Sequence, residues 1–411
     1  MEGSNATQLE NIILARLNSK YVDKPPNETD FNEDVNAFRQ LLAPVLSVTD
    51  EEFDNLVRKL KLDIVRIMET GIFIEDKRFH EPWLPARRAE IDFFFWNRYK
   101  KYLEGFKHWN PRETATLGSV SDDIVNLLGD PQSTEAFQRR GLVLGDVQSG
   151  KTANYTAICN KAADTGYRVI VVLAGMLENL RRQTQGRLDN EFSGRLSQYL
   201  LDPKKKEIQN LPVGVGKYGR IDNGGKEKRI ACFTSIIKDF DANILKSNNL
   251  SLHSVSDPVL IVIKKNKRIL NNLISWLRIN STNNAGLINL PMLMIDDEAD
   301  NASVNTKKDD EEPTAINDCI NRLLKLFNQA SYLGITATPF ANIFINPDTN
   351  DKMRDDDLFP RDFIYSLAAP KDYIGAESIF SDDAAYKNVL EEICAVEMNA
   401  FFHTVIKKDI I

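Results

Sequence analysis

GDVQSGKT, residues 145–152, is a complete GxxxxGKT pattern, and its reading decides the fold. A nucleoside triphosphate carries several negative charges that a backbone must approach closely. Gly145 and Gly150 let the chain wrap so that successive N–H groups point inward at the phosphates. Gln148 and Ser149 lie within that cradle, Lys151 sets a cation against the β- and γ-phosphates, and the Thr152 hydroxyl is placed to ligate Mg²⁺. The flanks agree. GLVL (141–144) reads as a short apolar strand and TANYTAICNKAAD (152–164) as a helix. Strand, glycine turn and helix together aim a helix N-terminus at an anion. The sequence thus predicts a nucleotide-binding chain, with ATP and Mg²⁺ as its cofactors.

Outward from the loop, short apolar runs alternate with helical patterns. RVIVVLAG (168–175), KRIACFTS (228–235), PVLIVIK (258–264), PMLMIDDEAD (291–300) and SYLGITATP (331–339) predict strands. LENLRRQTQGRLDNEF, NKRILNNLISWLR and AINDCINRLLKLFN (315–328) predict the helices between them. This alternation predicts an α/β fold, a parallel sheet with helices on both faces. Two glycine- or charge-rich insertions, 204–228 and 305–313, predict exposed loops.

Ahead of the sheet the texture is different. Residues 1–30 are polar and contain Pro25-Pro26, which predicts a loosely held leader. Thr49 and Glu52 form a capping-box pattern before Phe53, Leu56, Leu60, Ile64 and Ile67. AEIDFFFWNRYKKYL (89–103) predicts an aromatic-rich helix, read as a buried helix–helix seam rather than a base-stacking platform. The predicted organisation is a flexible leader (1–30), an α-helical accessory domain (31–135), the P-loop domain (136–375) and a helical tail (376–411).

The chain has 411 residues, 42% hydrophobic and 27% charged, as in soluble globular proteins of more than one domain. A formal net charge of −7 argues against a wholly basic nucleic-acid binder without excluding a local basic groove. Four cysteines without a CxxC and four histidines without metal-ligand spacing suggest neither a zinc site nor a disulfide framework. No apolar run has the length of a membrane span, and the start lacks a signal-peptide layout, so a cytoplasmic protein with no membrane partner is expected.

The second chemical feature is MLMIDDEADNAS. Its apolar residues predict a strand with carboxylates at the C-terminal end, where ligands bind in open α/β sheets. Asp297 is assigned to Mg²⁺ and Glu298 to the base that positions an attacking water. Asp296 competes for the metal role, and spacing does not decide between them. Thr336 and Thr338, in the turn Thr336-Ala337-Thr338-Pro339, could link the acidic strand end to a neighbouring domain. The order GKT, DEAD, TAT is similar to the motor motifs of superfamily-two helicases. That similarity implies a RecA-like domain in which Asp300 bonds the two threonine hydroxyls.

A closer likeness covers about 135–380. GDVQSGKTANYTAICNKAADTGYRVIVVLAGMLENLRRQTQGRLDNEF (145–192), DDEADNASVNT (296–306), YLGITATPFANIFINP (332–347) and LFPRDFIYSLAAPKDYIGAESIF (358–380) resemble the Z-one domain family. Those bacterial proteins are often labelled putative endonucleases and lie beside restriction and phage-defence genes. The resemblance implies an ATP-dependent, helicase-like motor acting on DNA. It also implies a second RecA-like domain, for which no motif block is found before residue 411. A partner protein supplying that domain or a nuclease is therefore expected, with weak ATP hydrolysis by the chain alone.

In the place of motif Ia, Arg181, Arg182, Gln183, Thr184 and Arg187 become candidates for DNA-backbone contacts. Lys264, Lys265 and Lys267 are either further contacts or solvated charges. Phe137 or Gln132 is a candidate to touch adenine. Three functions follow: a DNA translocase or helicase module, a nucleotide-gated binding or regulatory subunit, and an endonuclease. The last has no acidic–ExK constellation behind it.

Overall fold

The computed structural model describes residues 72–145, 150–200, 211–301, 315–338, 358 and 360–367, together with Glu28–Leu41 and scattered positions between 9 and 57. Its strands are β1 (Ile72–Glu75), β2 (Phe137–Leu144), β3 (Val169–Ala174), β4 (Ala231–Cys232), β5 (Val259–Ile263), β6 (Met292–Asp297), β7 (Gln329–Thr336) and β8 (Phe363–Ser366). The helices that position the site are α1 (Glu28–Leu41), α2 (Phe94–Gly105), α3 (Pro111–Leu127), α4 (Lys151–Thr165), α5 (Glu178–Leu188), α6 (Lys267–Ser281) and α7 (Ala315–Leu324).

The strands join in one sheet, ordered β1-β8-β2-β7-β6-β3-β5-β4. Every pairing is parallel except that of β1 with β8. Parallel strands need helical crossovers, and those crossovers bury both faces of the sheet. β3 shows the consequence. Ile170, Val172 and Ala174 pack with Tyr155, Ile158, Cys159 and Ala162 of α4. Val169, Val171 and Leu173 pack with Leu270, Leu273, Ile274 and Leu277 of α6 and with Ile320 and Leu323 of α7. Each such aliphatic side chain contributes about 1.5–3 kcal/mol on burial, so α6 alone anchors its face firmly. An unbroken VIVVLA run is therefore what this strand requires.

The helical lead-in does not form a separate domain. Met1–Ala369 make one compact unit, and Pro370–Ile411 a second that lies outside the described residues. α2 and α3 pack on α4 through Trp96, Tyr99, Tyr102, Leu117 and Ala157. The aromatic helix is thus a seam, and the buried partners are those of the phosphate-loop helix. Its first turn starts at Phe94 rather than Ala89 because the Asp164 carboxylate of α4 accepts the Phe95 and Trp96 N–H groups at 2.8 and 2.9 Å. Lys161, also on α4, pairs with Asp122 of α3 at 2.5 Å. Residues 72–75 correct the all-helical expectation for 31–135, since β1 is an edge strand of the main sheet.

The leader also differs from expectation at its described positions. Leu9, Ile13 and Leu17 are fully buried with Phe31, Val35, Phe53 and Leu56. Their spacing of four, within the run LENIILARL, is helical. The Thr49–Glu52 capping box is present, with Thr49 N–H donating to Glu52 Oε2 at 2.9 Å and Glu52 N–H to Thr49 Oγ1 at 3.3 Å. Leu60, Ile64 and Ile67 lie outside the described residues, as do 204–210, the loop 305–313 and the tail 376–411. In the first insertion Ile221 and residues 223–226 are exposed, as expected, whereas 214–216 are docked. Val215 is buried, and Gly214 and Gly216 touch the backbone of Asn190 and Gly194 too closely for any side chain. No helix among the described residues is long and apolar enough to cross a membrane.

Candidate nucleotide site

β2 leads to Gly145, the first residue of the GxxxxGKT stretch, at the C-terminal edge of the sheet. Gly145 ends the strand, and Gly150 begins α4 with φ 71°, ψ 21°, a left-handed conformation that side chains rarely adopt. Asp146, Val147, Gln148 and Ser149 lie outside the described residues. Lys151 reaches back across the loop, its ammonium donating to the Gly145 carbonyl at 2.8 Å. Thr152 opens the helix, and its carbonyl accepts the Thr156 hydroxyl at 2.8 Å.

Strand parity sorts the three acidic residues of β6 and its turn. Met292 and Met294 face α6 and α7, whereas Leu293 and Ile295 face α4. Side chains alternate along a strand, so Asp296 follows the methionines and Asp297 turns toward the phosphate-loop helix. Asp296 is wholly enclosed, with Oδ1 on the Lys265 ammonium at 2.7 Å and Oδ2 accepting the Tyr332 hydroxyl at 2.6 Å. It is spent internally, which leaves Asp297 as the carboxylate available to a cation. Burial, and then the Glu298 charge, push the Asp297 carboxyl up to about 6. Tyr155, one turn into α4, has its phenol pushed up by burial and then by Asp297, which ties the acidic strand end to the phosphate-loop helix.

Glu298 is exposed and holds φ 56°, a strained choice for a residue with a side chain. An added carbon at Gly175, at the end of β3, would meet Glu298 Oε2 at 3.5 Å. Asp300 closes the turn. Its Oδ1 accepts the Thr336 hydroxyl at 2.7 Å and its Oδ2 the Thr338 hydroxyl at 2.5 Å. Burial raises the Asp300 carboxyl, but these two hydroxyl bonds outweigh it and hold the group below its ordinary value.

β7 connects the two halves of the site. It lies between β2 and β6, so its end is beside both the phosphate loop and the acidic turn. The Thr336 carbonyl accepts the Gly145 N–H at 3.1 Å, while its hydroxyl holds Asp300. The Ile335 carbonyl accepts the Ala299 N–H at 3.0 Å. One residue therefore touches the cradle through its backbone and the acidic turn through its side chain.

The donor set suits Mg²⁺ with a nucleotide. Thr152 and Asp297 offer hard oxygen ligands, and Mg²⁺ binds through one or two such groups plus phosphates and water rather than in an all-protein cage. No cluster of three or more His, Cys, Asp or Glu able to hold a metal is found among the described residues.

The nucleic-acid candidates divide. Arg181 is fully buried, and its guanidinium donates to the Ser235 and Ile236 carbonyls at 2.9 and 3.0 Å and to Glu178 at 2.8 Å. It cannot serve a phosphate backbone and instead pins α5 to the loop after β4. Thr184 is half-buried. Arg182, Gln183 and Arg187 are exposed. Lys264 pairs with Glu178 at 3.2 Å, and Lys265 is buried beneath the acidic turn. Phe137 and Gln132 are corrected as base contacts. Phe137 starts β2, about 23 Å from the loop at ~3.3 Å per residue. Gln132 lies against Gly166, at the far end of α4 from the phosphate loop.

Lys265 and Tyr332 are the participants that sequence reasoning missed. The parity of DD against the preceding MLMI was the available signal, since it sends one carboxylate inward and demands a buried cation. No protein-family model matches the chain, and no curated protein matches it.

Proposed function

We propose that this chain is the Mg²⁺-dependent ATP half-site of a helicase-like DNA motor, built on a RecA-like P-loop domain of the kind found in bacterial restriction and phage-defence systems. One observation carries the reading: Thr336 is bonded at once to Gly145 of the phosphate loop and to Asp300 of the acidic turn. A simple nucleotide store has no need of that link. A motor does, because the state of the γ-phosphate must be felt beyond the cradle.

A bound Mg²⁺ would supply charge neutralisation at the phosphates. Thr152 and Asp297 would hold it, and Lys151 would leave the Gly145 carbonyl for the phosphates. Glu298 stands at the exposed tip of the turn, where a carboxylate can orient water and accept its proton. Arg182, Gln183 and Arg187, on the exposed side of α5, supply the DNA-backbone contacts. The Asp300–Thr336–Thr338 bonds pass a shift of the acidic turn into β7.

ATP turnover measured with and without single-stranded and duplex DNA tests this. DNA-stimulated turnover that disappears in Glu298→Gln supports the motor. Tight ATP binding without turnover under any DNA condition would replace it with a nucleotide-gated regulatory subunit. Metal-dependent DNA cutting that survives Glu298→Gln would point to a nuclease.

A further inference from the structure

The chain contains a buried lysine that none of the steps above uses. Lys265 follows β5, and its side chain, like that of Asp296, is wholly enclosed. Its ammonium donates to the Asn301 carbonyl at 3.0 Å and to the Glu298 carbonyl, and it forms an ion pair with Asp296 Oδ1 at 2.7 Å. An ammonium has three N–H donors and no acceptor, so it can hold two carbonyls while facing a carboxylate. The two carbonyls belong to the acidic turn, one on each side of Asp300. The Lys265 N–H donates in turn to the Gly175 carbonyl at 2.8 Å, beside the place where Glu298 Oε2 lies.

The turn so clasped holds Glu298 at φ 56°. A residue with a side chain stays there only when its surroundings over-determine it. Asp297 is half-buried, and Glu298 is exposed. Their carboxylates are therefore only as well placed as the backbone that carries them. A buried ion pair is a poor source of stability, and apolar residues of similar size often serve the fold as well or better. The chemistry that apolar residues cannot copy is simultaneous donation to two carbonyls of one strained turn.

We infer that Lys265 is a positioning residue, which fixes the Glu298 and Asn301 carbonyls so that the Asp297 and Glu298 carboxylates meet the nucleotide's cation and water. The inference rests on the ATPase reading. Outer partners of this kind commonly govern metal affinity or activity by about 10–100-fold.

The test uses the full chain and two variants, Lys265→Met and the double variant Lys265→Met/Asp296→Asn. The double variant leaves no unpaired buried charge, so it separates positioning from folding. Three quantities are read: affinity for a fluorescent ATP analogue with and without Mg²⁺, ATP turnover, and hydrogen exchange across 297–301. In both variants the affinity without Mg²⁺ should hold. The gain on adding Mg²⁺ and the turnover should fall about 10–100-fold, and exchange in the turn should quicken. The double variant should recover melting temperature but neither the Mg²⁺ gain nor the turnover. Recovery of the Mg²⁺ gain along with the melting temperature would overturn the inference, as would unchanged exchange in the turn. Failure of the unaltered chain to bind nucleotide would sink the ATPase reading instead, and the exchange result would still decide whether Lys265 holds the turn.

Discussion

Thr336→Val removes one oxygen from the centre of the site and leaves the shape of the side chain nearly unchanged. The residue is 1% exposed, and its hydroxyl makes two bonds. It donates to Asp300 Oδ1 at 2.7 Å and accepts the Thr338 N–H at 2.9 Å. A bond to a charged acceptor contributes about 1.5–3 kcal/mol, and a neutral one about 0.5–1.5 kcal/mol. The two do not simply add, because Thr338 is exposed and water can take its N–H. Asp300 also keeps the Thr338 hydroxyl at 2.5 Å. The expected loss is therefore about 2 kcal/mol, nearly all from the Asp300 bond. Strand propensity is not at issue, since both residues are β-branched. Urea unfolding measures the loss, and a double-mutant cycle with Asp300→Asn isolates the pair, with an expected coupling of about 1–2 kcal/mol. The sign with pH is also fixed. A carboxyl held below its ordinary value stabilises the fold above that value and loses its contribution as pH falls through the folded one. Thr336→Val should therefore be closest to the unaltered chain in acid. A loss under about 0.5 kcal/mol, or no coupling to Asp300, would refute the hydroxyl link.

The other predictions concern strain, burial and titration. Glu298→Gly should raise stability by about 0.5–1 kcal/mol, the left-handed penalty less glycine's entropy cost, while abolishing turnover; calorimetry and an ATPase assay read the two effects. Arg181→Ala should cost about 2–4 kcal/mol in denaturant, because buried carbonyls lose their donor. Arg182→Ala and Arg187→Ala should leave stability within about 0.5 kcal/mol and lower the salt dependence of DNA binding by about 0.9 in slope per lost phosphate contact. Burial pushes the Asp164 carboxyl up to about 8, against the pull of the Trp96 and Phe95 N–H groups and Arg98. The folded state then holds a proton that the unfolded chain releases near pH 4, so its contribution is full below that and lost as pH rises through about 8. Asp164→Asn should flatten that dependence, as read from denaturation midpoints between pH 5 and 9.

What the sequence made legible follows from where local patterns had physical force. Buried parallel strands must be apolar on both faces, so RVIVVLAG and PVLIVIK were readable at once. β2 was read four residues short because Arg139 and Arg140 look like a loop. Both are buried, with Arg139 on the Leu127 carbonyl and the Arg140 N–H on Asp362, partners distant in sequence. KRIACFTS predicted a longer strand than the two residues of β4; past them the Thr234 hydroxyl accepts the Val262 N–H of β5, and the Ser235 N–H turns to the Lys238 carbonyl. In the site, glycine and lysine spacing pointed to Lys151 and Thr152, the acidic strand end to Asp297, and the likeness to helicase motor motifs to Asp300. Spacing alone could not separate Asp296 from Asp297, nor see that Arg181 and Lys265 point inward. Long cationic side chains satisfy whichever acceptors the tertiary fold offers, and no local pattern records which those are.

Isothermal titration of ATP with Mg²⁺ into the unaltered chain and into Lys151→Ala tests the central claim most directly. The nucleotide half-site predicts saturable binding that weakens at least about tenfold in Lys151→Ala, equal to about 1.4 kcal/mol. No binding by the unaltered chain, or equal binding by both, would contradict it.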